Sequence, residues 1–426
     1  MGLLLLFLAI AVVCLLFNLP IVIAIGVSTL VLIFMEPTFP EQVITQTLFS
    51  AAGSFPLLAI PFFILGGEIM SNGGMAKRII NLVQSIVGSF TGSIGIITIL
   101  ASAIFAAITG SGPATVAIIG GIMIPYMMQN NYDPRYAVSI SASSGSLGPI
   151  IPPSIIFIVY GIVANVSIGD MFIAGVVPGI LIVISLLILN YFISKREGYK
   201  ESESRERKSF WRELNNAKWA IPTPFLILGG IYGGVVTPTE AAIILVVYTS
   251  IVCVFIYQEI GWKKYYEILV KTVATSGGIM IFVGFATLFG KYLSIKQIPQ
   301  TLAMQISEFT TNPIIILLII NIFLLIVGMF METVAAILIF VPLLLPIATT
   351  IGVDPIHFGI IVCLNLSIGM ITPPFGVNLF IGSKIAGIGF EKTFKFLKWT
   401  LATLIIVLLI VTYVPEISLF LVGLSK

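Results

Sequence analysis

The residues that could do chemistry in this chain are few, and they are written twice. Residues 146–153 read SLGPIIPP and residues 367–374 read SIGMITPP, with five of the eight positions identical. Each phrase interrupts an apolar run and ends in a double proline. Proline lacks a backbone donor and clashes with the preceding helical turn, so each phrase must break a helix and leave carbonyl and N–H groups unpaired. In an apolar medium an unmet polar group costs several kcal/mol, and such a break persists only where something else satisfies it. Carbonyl and hydroxyl oxygens suit a small hard cation such as sodium, and helix N-termini suit a carboxylate.

Two further polar phrases supply matching groups. One is Thr109-Gly110-Ser111-Gly112, with glycines for close backbone approach and hydroxyls as ligands. The other runs from Gly328 to Thr333 and holds Glu332. The first candidate cation site therefore joins Thr109, Gly110, Ser111 and Gly112 to Ser143, Gly145 and Pro149. The second joins Gly328, Glu332 and Thr333 to Asn365, Gly369, Thr372 and Pro373. Ser111, Ser154, Thr372 and Asn378 are the candidate substrate contacts. An acid inside an apolar span is functional by default, which makes Glu332 and Glu240 candidate coupling residues. Glu240 stands in GGVVTPTE at a helix start, where capping the turn is the alternative role. Asp133 and Asp354 each precede a proline that starts a helix and read as caps. The plainer alternative for the breaks is a pair of kinks that ease helix packing, but four interruptions in matching places argue for sites. His357 is the lone histidine, so no histidine-based metal site or relay is expected. Cys14, Cys253 and Cys363 lie in apolar helices and read as packed thiols. No Walker A, G-x-S-x-G or H-E-x-x-H pattern occurs, so nothing points to ATP hydrolysis or bond cleavage.

The elements that must position these groups are membrane helices. Of 426 residues 58% are apolar and 9% charged, and the mean hydropathy is +1.14, more apolar surface than a soluble domain can bury. Long Leu/Ile/Val runs without period-two alternation indicate helices over a barrel. The net charge of +3 is too small to suggest nucleic acid. The segment Gly2–Phe17 has no basic region before it and reads as a retained span. The basic stretch at 195–218 reads as a cytoplasmic linker between two halves. The first half, 1–194, holds scaffold spans within 2–70, a re-entrant hairpin at 92–128, a broken span at 134–166 and a span at 171–194. Residues 36–48 read as an outside loop. The second half, 219–426, holds scaffold spans within 219–290, a hairpin at 313–349, a broken span at 355–387 and a last span at 399–422. Lys291 and Lys296 fall outside, against the charge rule. Amphipathic segments at about 75–90 and 298–310 read as arms between scaffold and carrier. Sliding residues 111–161 along by 221 gives 12 identities in 51 positions, with Pro125, Asp133, Pro134, Gly148, Pro152, Pro153 and Gly161 in register with their second copies. Five spans per half is odd, so the copies enter the membrane from opposite sides. The expected fold is an all-α polytopic membrane protein built as an inverted repeat, each half five spans plus one re-entrant hairpin, as in secondary transporters.

GSGPAT at the first tip, SLGPIIPPS, GGVVTPTEAA and ITPPFGVNLF resemble the large membrane subunit of tripartite ATP-independent periplasmic (TRAP) transporters, the DctM-like family, and the resemblance covers essentially the whole chain. It implies an ion-transporter-superfamily fold working as an elevator in a bacterial inner membrane. It also implies a small four-helix membrane subunit as partner and a periplasmic binding protein that delivers an organic acid. Import would be driven by sodium, two or more ions per cycle. The family imports C4-dicarboxylates, sialic acid, keto acids and other carboxylates. The overall sequence is most similar to the sialic acid members with an unfused large subunit, without a local motif that decides it. One departure stands at the second tip, where Glu332 replaces the aspartate of many relatives. The alternatives are a permease for a C4-dicarboxylate or other carboxylate, the permease of an ATP-driven importer, a channel, and a membrane-embedded enzyme. The absence of a His or Asp cluster weighs against the last.

Overall fold

Backbone groups in lipid must pair within their own segment, so long apolar runs become helices. The computed structural model of the protein describes residues 2–17, 19–36, 39–199, 209–301, 304, 310 and 312–425. Among these residues the regular structure is helical throughout. The first half comprises α1 (Gly2–Leu16), α2 (Ile21–Phe34), α3 (Glu41–Ala52), α4 (Phe55–Asn72), α5 (Met75–Val87), α6 (Ser93–Thr109), α7 (Gly112–Gln129), α8 (Pro134–Gly145), α9 (Ile155–Ala164) and α10 (Ile168–Glu197). Then come α11 (Phe210–Ala217), α12 (Pro222–Tyr232), α13 (Pro238–Ile256), α14 (Trp262–Ile295), α15 (Pro313–Phe330), α16 (Thr333–Thr350), α17 (Pro355–Gly369), α18 (Val377–Ala386), α19 (Phe390–Tyr413) and α20 (Glu416–Leu424). Among the described residues eight helices are long and apolar enough to cross a membrane, and the protein is a multi-pass membrane protein.

Two antiparallel pairs, α6–α7 and α15–α16, turn at 110–111 and 331–332. The two broken helices, α8–α9 and α17–α18, are interrupted at 146–154 and 370–376. Their first arms form the centre of the molecule: α8 is buried from Tyr136 to Gly145 and α17 from His357 to Gly369. Packing between the halves is reciprocal. The second arm α9 lies on α16, and α18 lies on α7 and α8. Around this centre α4 packs on α13, and α14 crosses α2, α3 and α4. Small residues set the approach distances. In α4 a Cβ on Gly66 would sit 2.6 Å from Leu245 of α13, while one on Gly67 would sit 3.4 Å from the Cα of Thr109.

Several boundaries depart from the sequence reading. Residues 36–48, expected as a loop, contain most of α3. Its Val43, Ile44 and Leu48 pack inward on one stripe, while Glu41 and Gln42 stay outside. The span expected at 272–290 extends over Trp262–Ile295, 34 residues and about 51 Å of helix, because no glycine or proline combination stops it at the polar residues flanking its apolar centre. The span expected at 219–236 shortens to the 11 residues of α12, ended by the glycine pair Gly233 and Gly234, the latter at φ 66°. The last span, expected at 399–422, divides at Val414–Pro415: Val414 leaves the helical region at φ −122°, ψ 82°, as the residue before a proline tends to do. The amphipathic arm at 75–90 is α5, which buries Met75, Ala76, Ile79, Ile80 and Val83. Most of its counterpart at 298–310 and residues 200–208 of the linker lie outside the described residues.

Ion pairs join residues that the charge rule places on one side of the membrane. Arg78 meets Glu259 at 3.1 Å, and Lys395 lies between Glu197 (3.8 Å) and Asp133 (4.0 Å), itself bound to Arg135. Lys296, one of the two lysines that go against the charge rule, meets Glu36 at 2.7 Å and is neutralised locally. Asp133 and Asp354 cap α8 and α17 as expected, accepting from Arg135 N and from Ile356 N and His357 N. The three cysteines are buried and unpaired.

Candidate functional site

The first tip is held open by geometry that glycine alone meets. Helix α6 ends at Gly110, φ 59°, where a Cβ would stand 2.9 Å from the Pro153 carbonyl oxygen and 3.0 Å from the Ile155 nitrogen. Ser111 is extended, and its Oγ accepts from Ala114 N to cap α7. Thr115 Oγ1 donates to the Ser111 carbonyl at 2.8 Å and lies 3.2 Å from Thr109 Oγ1. Opposite, a Cβ on Gly148 would be 2.4 Å from the Ser111 carbonyl carbon, and one on Gly112 would be 3.1 Å from the Gly145 oxygen. Thus the first tip is pressed onto the first break, and the structure brings Thr109, Gly110, Ser111, Gly112 and Gly145 together. Within the break Ser154 Oγ donates to the Pro149 oxygen at 2.7 Å. Ser143 Oγ and Ser146 Oγ are buried with no protein partner.

The second tip repeats the plan with different chemistry. Met331 is extended, and Glu332 caps α16, its carboxylate accepting from Ala335 N at 3.1 Å. A Cβ on Gly369 would be 2.5 Å from the Gly328 carbonyl carbon, so this tip rests on the second break. Thr372 Oγ1 donates to the Ile368 oxygen at 2.8 Å, and Asn378 N donates to the Met370 oxygen at 2.9 Å. Asn365 is fully buried. Its Nδ2 donates to Asn321 Oδ1 (2.7 Å) and to the Asn321 carbonyl oxygen (3.1 Å), while its own Oδ1 has no protein partner. Asn378 Oδ1 has no protein partner either, while its Nδ2, which donates to the Ala142 carbonyl oxygen (3.5 Å), is the end beside Gly112 and Gly145 of the first site. Buried oxygens without donors are rare in a folded protein and ask for a cation or water. The second double proline, Pro373–Pro374, is cis, as is Pro152–Pro153.

Between the tips lies a cavity of about 370 Å³. Its walls are Thr109 to Ala114, Gly328 to Val334, Met370, Phe375 to Val377, and from α4 and α14 Gly67, Glu68, Ser71 and Thr275. Of the candidate substrate contacts, Ser111 lines it. Ser154, Thr372 and Asn378 do not: Ser154 spends its hydroxyl on the Pro149 oxygen of its own break, Thr372 on the Ile368 oxygen at the end of α17, and Asn378 points to Gly112 and Gly145. Ser143, Asn365 and Gly369 do not line the cavity. Glu332 lines the cavity; Glu240 does not. The Glu240 carboxylate accepts from Thr237 N (2.7 Å) and Thr237 Oγ1 (2.9 Å) in a capping box at an exposed helix start, the geometry of the alternative, capping role. Sequence reasoning passed over Glu68, Ser71, Thr275 and Asn321. For Glu68 a signal existed, a carboxylate within the apolar run AIPFFILGGEIM. The other three are ordinary polar residues in membrane helices, and only folding brings them to the site.

The family described as tripartite ATP-independent periplasmic transporter, DctM component, matches over residues 8–417. Similar proteins include the isethionate TRAP transporter permease protein DctMQ of Oleidesulfovibrio alaskensis, 43% identical over 95% of this chain and 64% of its own length. This chain thus spans just under two thirds of that relative. Others are the C4-dicarboxylate TRAP transporter large permease protein DctM of Pseudomonas aeruginosa, 39% identical over 87% of each chain, and the sialic acid TRAP transporter large permease protein SiaM of Vibrio cholerae, 38% identical over 88% of each. Among solved structures the YdaH transporter of Alcanivorax borkumensis shares the fold, with a TM-score of 0.65 over 92% of this chain and 95% of that one at 14% identity.

Proposed function

This chain belongs to the DctM component family of tripartite ATP-independent periplasmic transporters, and on that premise we propose that it is the membrane subunit of a sodium-coupled secondary importer of an organic acid. The observation that carries the proposal is an orphaned buried oxygen in each first arm, Ser143 Oγ in α8 and Asn365 Oδ1 in α17, shortly before the glycines Gly145 and Gly369 on which the tips close. The donor sets, hydroxyl, amide and main-chain oxygen, fit sodium better than a transition metal. The first site would be held by Thr109, Gly110, Ser111, Gly112, Ser143, Gly145 and Pro149, and the second by Gly328, Glu332, Thr333, Asn365, Gly369, Thr372 and Pro373. Sodium, when bound, supplies positive charge beside the cavity. The chain's own part is to place two helix N-termini, those of α7 and α16, at that cavity, so that an acid group meets N–H dipoles.

The halves are an inverted repeat in this proposal. In support, caps recur at the 221-residue offset, Ser111 with Glu332 and Asp133 with Asp354, and the cross-packing of α9 on α16 mirrors that of α18 on α7. The hairpins and broken helices move as one body past α1–α4 and α12–α14, an elevator. The setting is the bacterial inner membrane, with a small four-helix subunit and a periplasmic binding protein as partners; DctMQ is a fused relative. N-acetylneuraminate, a C4-dicarboxylate and isethionate are the candidate substrates. Relatives named for these are 38, 39 and 43% identical, so similarity does not choose among them. The test is uptake by proteoliposomes holding the assembled transporter, without ATP. Accumulation of one of these acids under an inward sodium gradient is the expected result. Accumulation that needs ATP, or follows a proton gradient and ignores sodium, would overturn the proposal.

A further inference from the structure

The cavity poses an electrostatic problem for an acid. Its charged lining residues are Glu68 and Glu332, both carboxylates, so an anion entering it meets like charge. The cation bonded to that lining is Lys271 of α14, whose Nζ lies 2.7 Å from Glu68 Oε1. Lys271 stands one helical turn before Thr275, which lines the cavity and donates to the Lys271 carbonyl oxygen, so both residues share a face of α14. The Lys271 side chain is 64% exposed against 25% for Glu68, which places the ammonium at the rim and the carboxylate at the wall. We infer that Lys271 is the specificity residue that takes the acid group of the transported anion at the rim of the cavity, and that Glu68 is its resident counter-ion, displaced when the anion arrives. The inference rests on reading the protein as an organic-acid transporter.

The chemistry of the pair suits this use. An ammonium has three donors on a flexible stem, so Lys271 can turn its N–H groups from Glu68 to an arriving anion. A partly exposed pair is weakly bound and exchanges readily. Both residues lie on α4 and α14 and not on the tips, so the contact forms only while the cavity faces this rim. Glu68 then returns to neutralise Lys271 once the anion has gone, and the lysine does not become a trap.

The test uses the assembled transporter in proteoliposomes, with isethionate, N-acetylneuraminate and succinate as probes. Wild-type uptake tests the underlying reading; the ratio of variant to wild type tests the lysine. K271Q should raise the half-saturating concentration of the transported acid roughly fivefold and leave that of sodium unchanged, and K271R should restore it. E68Q frees the ammonium and should lower the half-saturating acid concentration below wild type. A pair that merely ties α4 to α14 would give K271Q and E68Q shifts of the same sign. That result, or an unchanged half-saturation in K271Q with monodisperse, normally stable protein, overturns the inference.

Discussion

Glu332 at the second tip holds the place of Ser111 at the first. Each stands just before the second arm of its hairpin, and each accepts from a backbone N–H three residues on, Ala335 for one and Ala114 for the other. A carboxyl group in one cap and a hydroxyl in the other make the two proposed cation sites unequal, and the carboxyl group stands at the cavity wall. Glu332→Gln keeps a cap acceptor and removes the charge, so the helix should survive, with stability lowered by about 1 kcal/mol or less. Transport should fall at least tenfold at normal expression. Unchanged rate and sodium affinity in that variant would reduce Glu332 to a cap. Much at this scale could be read from the residues alone. Glycine, hydroxyl and amide residues in a broken apolar run have few uses, and Ser111, Ser143 and Asn365 stand in such runs. Glu68 and Lys271 escaped because 203 residues separate them, and nothing local to either marks the other as a partner.

At the scale of elements, α8 depends on its cap. Partial burial raises the Asp133 carboxyl, but hydrogen bonds from the Arg135 side chain and backbone, with the charges of Arg135 and Lys395, outweigh it and hold Asp133 below its ordinary value. A carboxyl depressed in the folded state contributes its stability above its unfolded value, near pH 4, and loses it as pH falls through the folded value. Asp133→Ala should therefore cost about 1 kcal/mol at pH 7, and the gap to wild type in thermal unfolding should narrow as pH falls below about 4. A gap that is constant down to pH 3 would exclude the charge from the cap's role. Helices whose ends carry such signals were legible: Asp-Pro at 133 and 354, Gly110 at the tip, Thr237-Pro238 before α13. Those without them were not. Helix α3 has a stripe too short to separate from a polar loop, α14 runs on past its apolar centre because nothing stops it, and the last span divides at a proline whose preceding residue the apolar count ignored.

At the scale of the whole molecule, the two halves interlock: the first arms of both broken helices are buried from Tyr136 and from His357 to their ends, and the second arm of each packs on a hairpin of the other half. A body so joined can move as a unit. It also packs on α14, through α16, where Gly290 approaches Pro342 so closely that a Cβ would stand 3.4 Å from it. Cysteines at 290 and 342 fall within reach of a disulfide. Under mild oxidation their crosslinking should differ severalfold between sodium-free protein and protein with sodium and substrate. Equal yields under both conditions, in a protein that transports, would mean that the body does not slide past α14. The proposal that each tip and its break hold a sodium ion can be tested without knowing the substrate. Thermal unfolding of the purified transporter should shift upward with sodium and not with potassium or choline. Ser143→Ala and Asn365→Ala should each lose part of that shift and the double variant all of it, whereas Ser144→Ala, whose hydroxyl is already committed to the Ile140 oxygen, should keep it. A double variant that responds to sodium as the wild type does would contradict the account.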